Sequence, residues 1–255
     1  MPLRFAYLGS GSRGNALLIE SANARILLDC GFAAREIERR LKQLEVDPAS
    51  LTGILVTHEH GDHIRGVGAM ARRYALPVWM TPGTYHSASY GELPQLQLID
   101  CHTGPWSIED IAIHPYPVPH DSREPCQFVM TVGKQSLGVL TDAGHITPHI
   151  IERLQQCDSL VLEFNHDPQM LADGPYPPSL QARVGGSHGH LSNQQALQLL
   201  RRVPVERFSH LVASHISEKN NDPELVKSMV SLHLPELEAR FSLAEQHCVS
   251  DWLSV

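Results

Sequence analysis

The stretch Thr57-His58-Glu59-His60-Gly61-Asp62-His63 sets three imidazoles and a carboxylate, Asp62, in a tight loop directly behind the apolar run Ile54-Leu55-Val56. Successive side chains of a helix or a strand diverge, so a loop is what lets His58, His60, Asp62 and His63 converge. Imidazole together with carboxylate suits zinc, with manganese or iron as alternatives, and the lack of cysteine disfavours a purely structural site.

Outward from this loop, short β-rich runs alternate with amphipathic helices, so the fold class is α/β. Residues 5–8, 16–20 and 26–29 read as strands joined by Gly- and Asn-containing turns. Ile37, Leu41 and Leu44 share one face of a helix over 33–44. Residues 54–56 form a short buried strand leading into the histidine loop. Strands over 126–132 and 136–140 pair as a hairpin through Gly133-Lys134. Later buried strands, 160–162 and 211–213, each run into a polar residue. Ser192 and Gln195 form a capping box, and Asp222-Pro223 opens another helix. Residues 174–178 form a turn-rich loop, and no low-complexity linker divides the chain, so residues 1–255 are expected to be one domain.

Composition narrows the function. The chain has 255 residues, enough to bury a substantial core. Its 16 histidines, without a polyhistidine tract, suit ligand chemistry spread along the fold. A net charge of −8 argues against coating nucleic acid with a broad basic surface, but not against a site where metal ions supply the positive charge. The start lacks the apolar run of a signal peptide and no stretch is long enough to span a membrane, so a cytoplasmic protein is expected. Five cysteines without CxxC spacing (Cys30, Cys101, Cys126, Cys157 and Cys248) are expected to be buried and reduced.

The HxHxDH loop resembles the signature of the metallo-β-lactamase superfamily, which implies a four-layer αββα sandwich with two metals at the sheet edges. The resemblance assigns His58, His60 and His120 to one metal, Asp62, His63 and His215 to the other, and makes Asp142 the bridge. Asp62 thus belongs to both the metal set and the catalytic set. His120, Asp142 and His215 each follow an apolar run, in the order the family requires. Flavodiiron relatives carry glutamate at the position of His60, so hydrolysis by an activated water is favoured over redox chemistry.

Two further motifs, Gly189-His190-Leu191-Ser192-Asn193 and His215-Ile216-Ser217, are similar to those of ribonuclease Z, as is the strand-end glutamate in Leu160-Val161-Leu162-Glu163. The resemblance implies that Glu163 orients His190 to serve a phosphate oxygen or a leaving alkoxide. The whole chain looks closer still to the YycJ/WalJ-like branch. The matching stretches include Ser10-Gly11-Ser12-Arg13-Gly14-Asn15, Thr141-Asp142-Ala143-Gly144-His145 and Glu163-Phe164-Asn165-His166-Asp167. Some members of that branch are 5′-to-3′ DNA exonucleases, which implies a DNA substrate. Only 21 residues separate His120 from Asp142 and 47 separate Asp142 from His190. These spacings leave no room for the tRNA-gripping arm or the large second domain of other nucleases.

Ser10, Ser12, Arg13 and Asn15 in the Gly-rich loop, together with Arg183 and Lys219, are candidate phosphate contacts. His145, His166 and His188 are candidates to orient ligands from behind. Arg39-Arg40, Arg72-Arg73 and Arg201-Arg202 are expected on solvated helix faces. Alternatives to a nuclease are a hydrolase of small phosphodiesters, a thioester or lactone hydrolase, and a regulatory binding protein that kept the site without turnover.

Overall fold

A computed structural model describes residues 2–255. Six strands build most of the first sheet: β1 (Arg4–Gly9), β2 (Ala16–Glu20), β3 (Arg25–Leu28), β4 (Gly53–Leu55), β5 (Pro77–Met80) and β6 (Gln95–Leu98). The second sheet holds β7 (Trp106–Ile108), β8 (Ile111–Pro117), β9 (Cys126–Val132), β10 (Gln135–Leu140), β11 (Ser159–Glu163), β12 (His210–Ser214) and β13 (Phe241–Leu243). A last strand, β14 (Leu253–Ser254), pairs antiparallel with β1 and completes the first sheet at seven strands. The spatial orders are β14-β1-β2-β3-β4-β5-β6 and β13-β12-β11-β10-β9-β8-β7.

The apolar runs are continuous because both faces of each sheet are covered. Along β1, Phe5 and Tyr7 enter the core between the sheets, where they meet Ile113, Phe128 and Val139 of the second sheet. Leu8 turns the other way, onto helices Ala34–Gln43 and Val67–Tyr74. The outer face of the second sheet is covered likewise by helices Pro148–Leu154, Asn193–Leu200 and Pro223–His233. The layers are therefore helix, sheet, sheet, helix.

The expected hairpin is present, with Gln135 opposite Val132 and Gly133 at φ 59° in the turn. The capping box at Ser192 and Gln195 and the Asp222 cap before Pro223 are likewise present. Strands β7, β13 and β14 have no counterpart in the sequence reading, because at three, three and two residues they are too short to show a periodicity. Among the described residues, no helix is long and apolar enough to cross a membrane.

Two expectations are corrected. Cys30 and Cys157 are buried free thiols, but Cys248 is exposed and Cys101 is disulfide-bonded to Cys126. The pair comes together because the turn after β6 packs on the start of β9, a contact across 25 residues of sequence. Arg39, Arg72, Arg73, Arg201 and Arg202 are exposed as expected, whereas Arg40 is buried. Its guanidinium donates to the Leu8 and Gln246 carbonyls, pairs with Glu36 at 2.6 Å and lies over the Phe32 ring. A helix face that looks charged in sequence is here the clamp that holds the C-terminal segment against β1.

Arg40→Ala should therefore lower stability by about 3 kcal/mol, because two buried carbonyls lose their donor. A urea melt reads this as a lower midpoint. An unchanged midpoint would mean that water replaces the guanidinium at no cost.

Candidate metal centre

One rim of the sandwich collects the chemistry. β3 and β4 run parallel, as do β10, β11 and β12, and β8 points the same way through its antiparallel neighbour β9. Their C-terminal ends deliver Asp29, the 57–63 loop, His120, Asp142, Glu163 and His215 to one place. The short helix Gly61–Ile64 turns Asp62 and His63 inward. Asp29, Asp142 and His215 have φ of 59°, 53° and 52°. A left-handed conformation in a residue with a side chain costs about 1–3 kcal/mol, and here it turns each side chain sharply off its strand into the rim.

The structure brings together all seven residues that the resemblance assigns to metals. Ligand atoms of His58, His60 and His120 lie within 4.8 Å of one another, as do those of Asp62, His63 and His215. Asp142 falls in a group with His58 and His63 and in another with His215, Glu163 and His190, so it stands between the two sets. His60 Nδ1 and His120 Nε2 face each other at 3.2 Å. Asp142 Oδ2 is 3.3 Å from His63 Nε2, and Asp62 Oδ2 is 3.4 Å from His215 Nε2.

This donor set fits divalent ions. His58 Nε2 and Asp142 Oδ2 are buried without a hydrogen-bond partner among the described residues, a costly state for polar atoms that a cation would relieve. Burial pushes His58 and His120 down, towards the neutral form that donates a lone pair to a metal. Burial also disfavours charge on His63 and His215, but Asp142 and the other nearby carboxylates outweigh it and hold both rings up. Conversely, the imidazoles overcome the burial penalty at Asp142 and Asp62 and keep both ionised. The cluster therefore demands positive charge, from protons or from metal.

Behind the ligand atoms lies a supporting layer. Asp29 accepts hydrogen bonds from Thr57 N at 2.9 Å and Thr57 Oγ1 at 2.8 Å, and its Oδ2 is 2.8 Å from His63 Nδ1. A carboxylate on Nδ1 fixes the ring and leaves Nε2 to the centre. The sequence reading missed this role of Asp29, although an acidic residue ending an apolar strand is the signal that drew attention to Glu163. Ser10, read in the sequence as a possible phosphate donor of the Gly-rich loop, supports the centre instead. Its Oγ accepts from His215 N at 2.9 Å and donates to Asn15 Oδ1 at 3.0 Å, while Asn15 Nδ2 donates to Asp62 Oδ2 at 3.2 Å. Ser10 and Asn15 thus tie Asp62 on one sheet to His215 on the other.

Glu163 is a second hub, wholly buried. Oε1 is 2.7 Å from His190 Nδ1 and 3.2 Å from His215 Nδ1, and Oε2 accepts from Ala143 N and Leu191 N. Burial would raise its carboxyl, but His190 and His215 overcome that and hold it down at about 2. Glu163 does not line the cavity itself and reaches it through His190 and His215, so it positions rather than touches a substrate.

The candidate phosphate contacts divide. Ser12 and Arg183 line a cavity of about 320 Å³ with His60, Asp62, Asp142, His190 and His215. Arg183 is not free there, being ion-paired with Asp121. Asn15 is buried and committed to Asp62, Arg13 pairs with Glu218 at 2.9 Å, and Lys219 sits over the Tyr176 ring outside the cavity. The placements of Arg13 and Asn15 correct the expectation that these two grip phosphate, and of the Gly-rich loop's candidates Ser12 alone lines the cavity. His145 is exposed and bonds Ser187 O, His188 is exposed, and His166 is buried with Nδ1 unpaired, so no direct bond from these three to a proposed ligand is seen.

The fold and this rim define a metallo-β-lactamase-type hydrolase scaffold. Residues 24–216 match the Beta-lactamase superfamily domain, and the chain belongs to that family. It is 34% identical to the exodeoxyribonuclease YycJ of Bacillus anthracis, over 92% of this chain and 90% of that one. It is 30% identical to the exodeoxyribonuclease WalJ of Streptococcus pneumoniae, over 87% and 84%. Among solved structures, the metallo-beta-lactamase fold protein YhfI from Bacillus subtilis superposes with a TM-score of 0.75 at 15% identity, covering 98% of this chain and 100% of that one.

All four contacts of Glu163 are with nitrogen donors or rings, so an amide NH₂ in its place would oppose at least one of them. Glu163→Gln should cost about 1–3 kcal/mol of stability and lower metal content, by differential scanning calorimetry and elemental analysis. Wild-type stability with full metal content would show that Glu163 is no structural hub.

Proposed function

We propose that this chain is a phosphodiesterase that cleaves nucleic acid with two divalent ions, acting on DNA ends in the 5′-to-3′ direction, and that residues 1–255 work as one domain. Zinc suits the ligands best, with manganese and iron as alternatives. The observation that carries the reading is the Glu163–His190 pair, a carboxylate-backed imidazole on the wall of the cavity that also holds His60, Asp62, Asp142 and His215. A thioester releases a good leaving group without such help, whereas a phosphodiester releases an alkoxide that needs a proton. The likeness to YycJ and WalJ, both exodeoxyribonucleases, supports DNA as the substrate.

In this reading His58, His60 and His120 would hold one ion and Asp62, His63 and His215 the other, with Asp142 placed between the two sets. Ions bound there supply Lewis acidity and make water a nucleophile near neutral pH. The protein's own part is positioning and proton delivery. Asp29, Thr57 and Asn15 fix His63, His58 and Asp62 in place. Glu163 accepts from His190 Nδ1, which turns the opposite ring nitrogen, Nε2, away from the carboxylate. A proton carried on Nε2 can pass to the departing sugar oxygen. His190 is 5.2 Å, centroid to centroid, from His120 and 5.1 Å from His215, so a diester held at the ligand cluster lies within its reach.

His190→Ala should lower kcat on end-labelled DNA by roughly 100- to 10,000-fold with metal content unchanged. Bis-p-nitrophenyl phosphate, whose leaving group needs little protonation, should lose far less. Loss of metal would make His190 a ligand instead, full activity on DNA would remove His190 as the proton donor, and an unaltered enzyme that turns over no phosphodiester would return the thioester and lactone readings to the front. Turnover of the chromogenic diester with none of any oligonucleotide would point to a small phosphodiester.

A further inference from the structure

The connection from β11 to helix Asn193–Leu200 passes over the rim, and part of it plays no role in the metal centre. It contains Gly174-Pro175-Tyr176-Pro177-Pro178 and the helix Pro178–Val184. Tyr176, Leu180 and Val184 form an apolar wall of the cavity, on which Tyr176 is the only phenylalanine, tyrosine or tryptophan. The other walls are polar, from Asp62, Asp142, His60 and His190. Tyr176 is half-buried and held between prolines, which restrict the backbone on both sides of it. Gln181 Nε2 donates to Ala172 O at 3.1 Å and further braces the loop. Gly174 lets it sit close, since a Cβ there would lie 2.6 Å from Asn220 Oδ1. Outside the cavity, Lys219 Nζ lies 5.5 Å from the centre of the Tyr176 ring.

A rigid aromatic ring facing a cluster of charged ligands matches the two halves of a nucleotide, one flat and apolar, the other anionic. From this we infer that Tyr176, backed by Leu180 and Val184, is the platform for the base beside the cleaved bond, and that Lys219 meets the next phosphate along the strand. A cavity of about 320 Å³, near the lower end for small-ligand sites, has room for one nucleotide-sized group rather than a stretch of chain. The inference rests on the nuclease reading and specifies how that site holds its substrate. Stacking on an aromatic side chain is tolerant of sequence, because every base has a π-face.

The test compares unaltered enzyme, Tyr176→Ala and Tyr176→Phe, all metal-loaded. The substrates are oligonucleotides with ordinary nucleotides and oligonucleotides with an abasic residue on either side of the cleaved bond. Tyr176→Ala should raise KM on the ordinary oligonucleotide roughly 10- to 100-fold, the range expected for one lost base stack. Tyr176→Phe should stay near the unaltered enzyme. One abasic substrate should already be poor for the unaltered enzyme and lose little more with Tyr176→Ala. Equal losses on ordinary and abasic substrates, or no loss at all, would overturn the platform while leaving the nuclease reading intact. An unaltered enzyme that cleaves no oligonucleotide would overturn the nuclease reading, and the platform with it.

Discussion

Negative charge crowded at the ends of buried strands is the constraint on which the site and much of its surroundings depend. Asp29, Asp142 and Glu163 leave the C-terminal ends of strands whose two faces are both covered, and Asp62 joins them from the histidine loop. Carboxylates at such low exposure must be balanced, because desolvation penalises each uncompensated charge heavily. The imidazoles of His63 and His215 supply part of that balance, and the buried, unpartnered Asp142 Oδ2 marks where more is needed. A divalent ion answers the same demand with a fixed positive charge. The sandwich and the metal centre are therefore one solution: the sheets bring the acids together, and the cation lets them stay.

The same crowding explains the backbone. A regular strand alternates its side chains between the two faces and cannot aim one along its own axis. Asp29, Asp142 and His215 achieve this by entering the left-handed region just past β3, β10 and β12. Each such turn works against stability, and the surrounding hydrogen bonds offset it: Asp29 with Thr57 and His63, His215 with Ser10 and Glu163. Gly31 belongs to this arrangement too, since a Cβ there would overlap the Asp62 carbonyl. The loop after β3 can hold the histidine loop only by touching its backbone.

The histidine loop and the strand-end residues were legible in the sequence because a ligand's chemistry survives in its residue type. Metal binding needs imidazole or carboxylate, and the apolar run before each one announces a strand. The direction in which a polar side chain points was not legible. Arg13 and Asn15 read alike as polar residues of a Gly-rich loop, yet one pairs with exposed Glu218 and the other is buried against Asp62. Which way a polar side chain points depends on contacts from the C-terminal segment, where Gln246 grips the backbone of that loop through Arg13 N and Gly14 O. Arg40 misled for the same reason, its partners Leu8 and Gln246 lying 32 and 206 residues away. Long-range partners leave no local periodicity, so residue type alone could not separate a buried arginine from a solvated one.

These corrected placements change how a polyanion can be held. Of the cations expected to grip phosphate, Arg183 is engaged by Asp121 and Arg13 by Glu218, so neither offers a net charge to its surroundings. With a chain charge of −8, long-range steering by the protein itself is repulsive. Attraction must come from short range, where bound metal ions outweigh the carboxylates around them and where contact with a base does not depend on charge. Lys219 is the one cation among the expected phosphate contacts with no carboxylate bonded to it among the described residues, and it stands at Tyr176. Cation, aromatic ring and metal ligands follow one another from the rim into the cavity, in the order in which phosphate, base and cleaved bond would meet them.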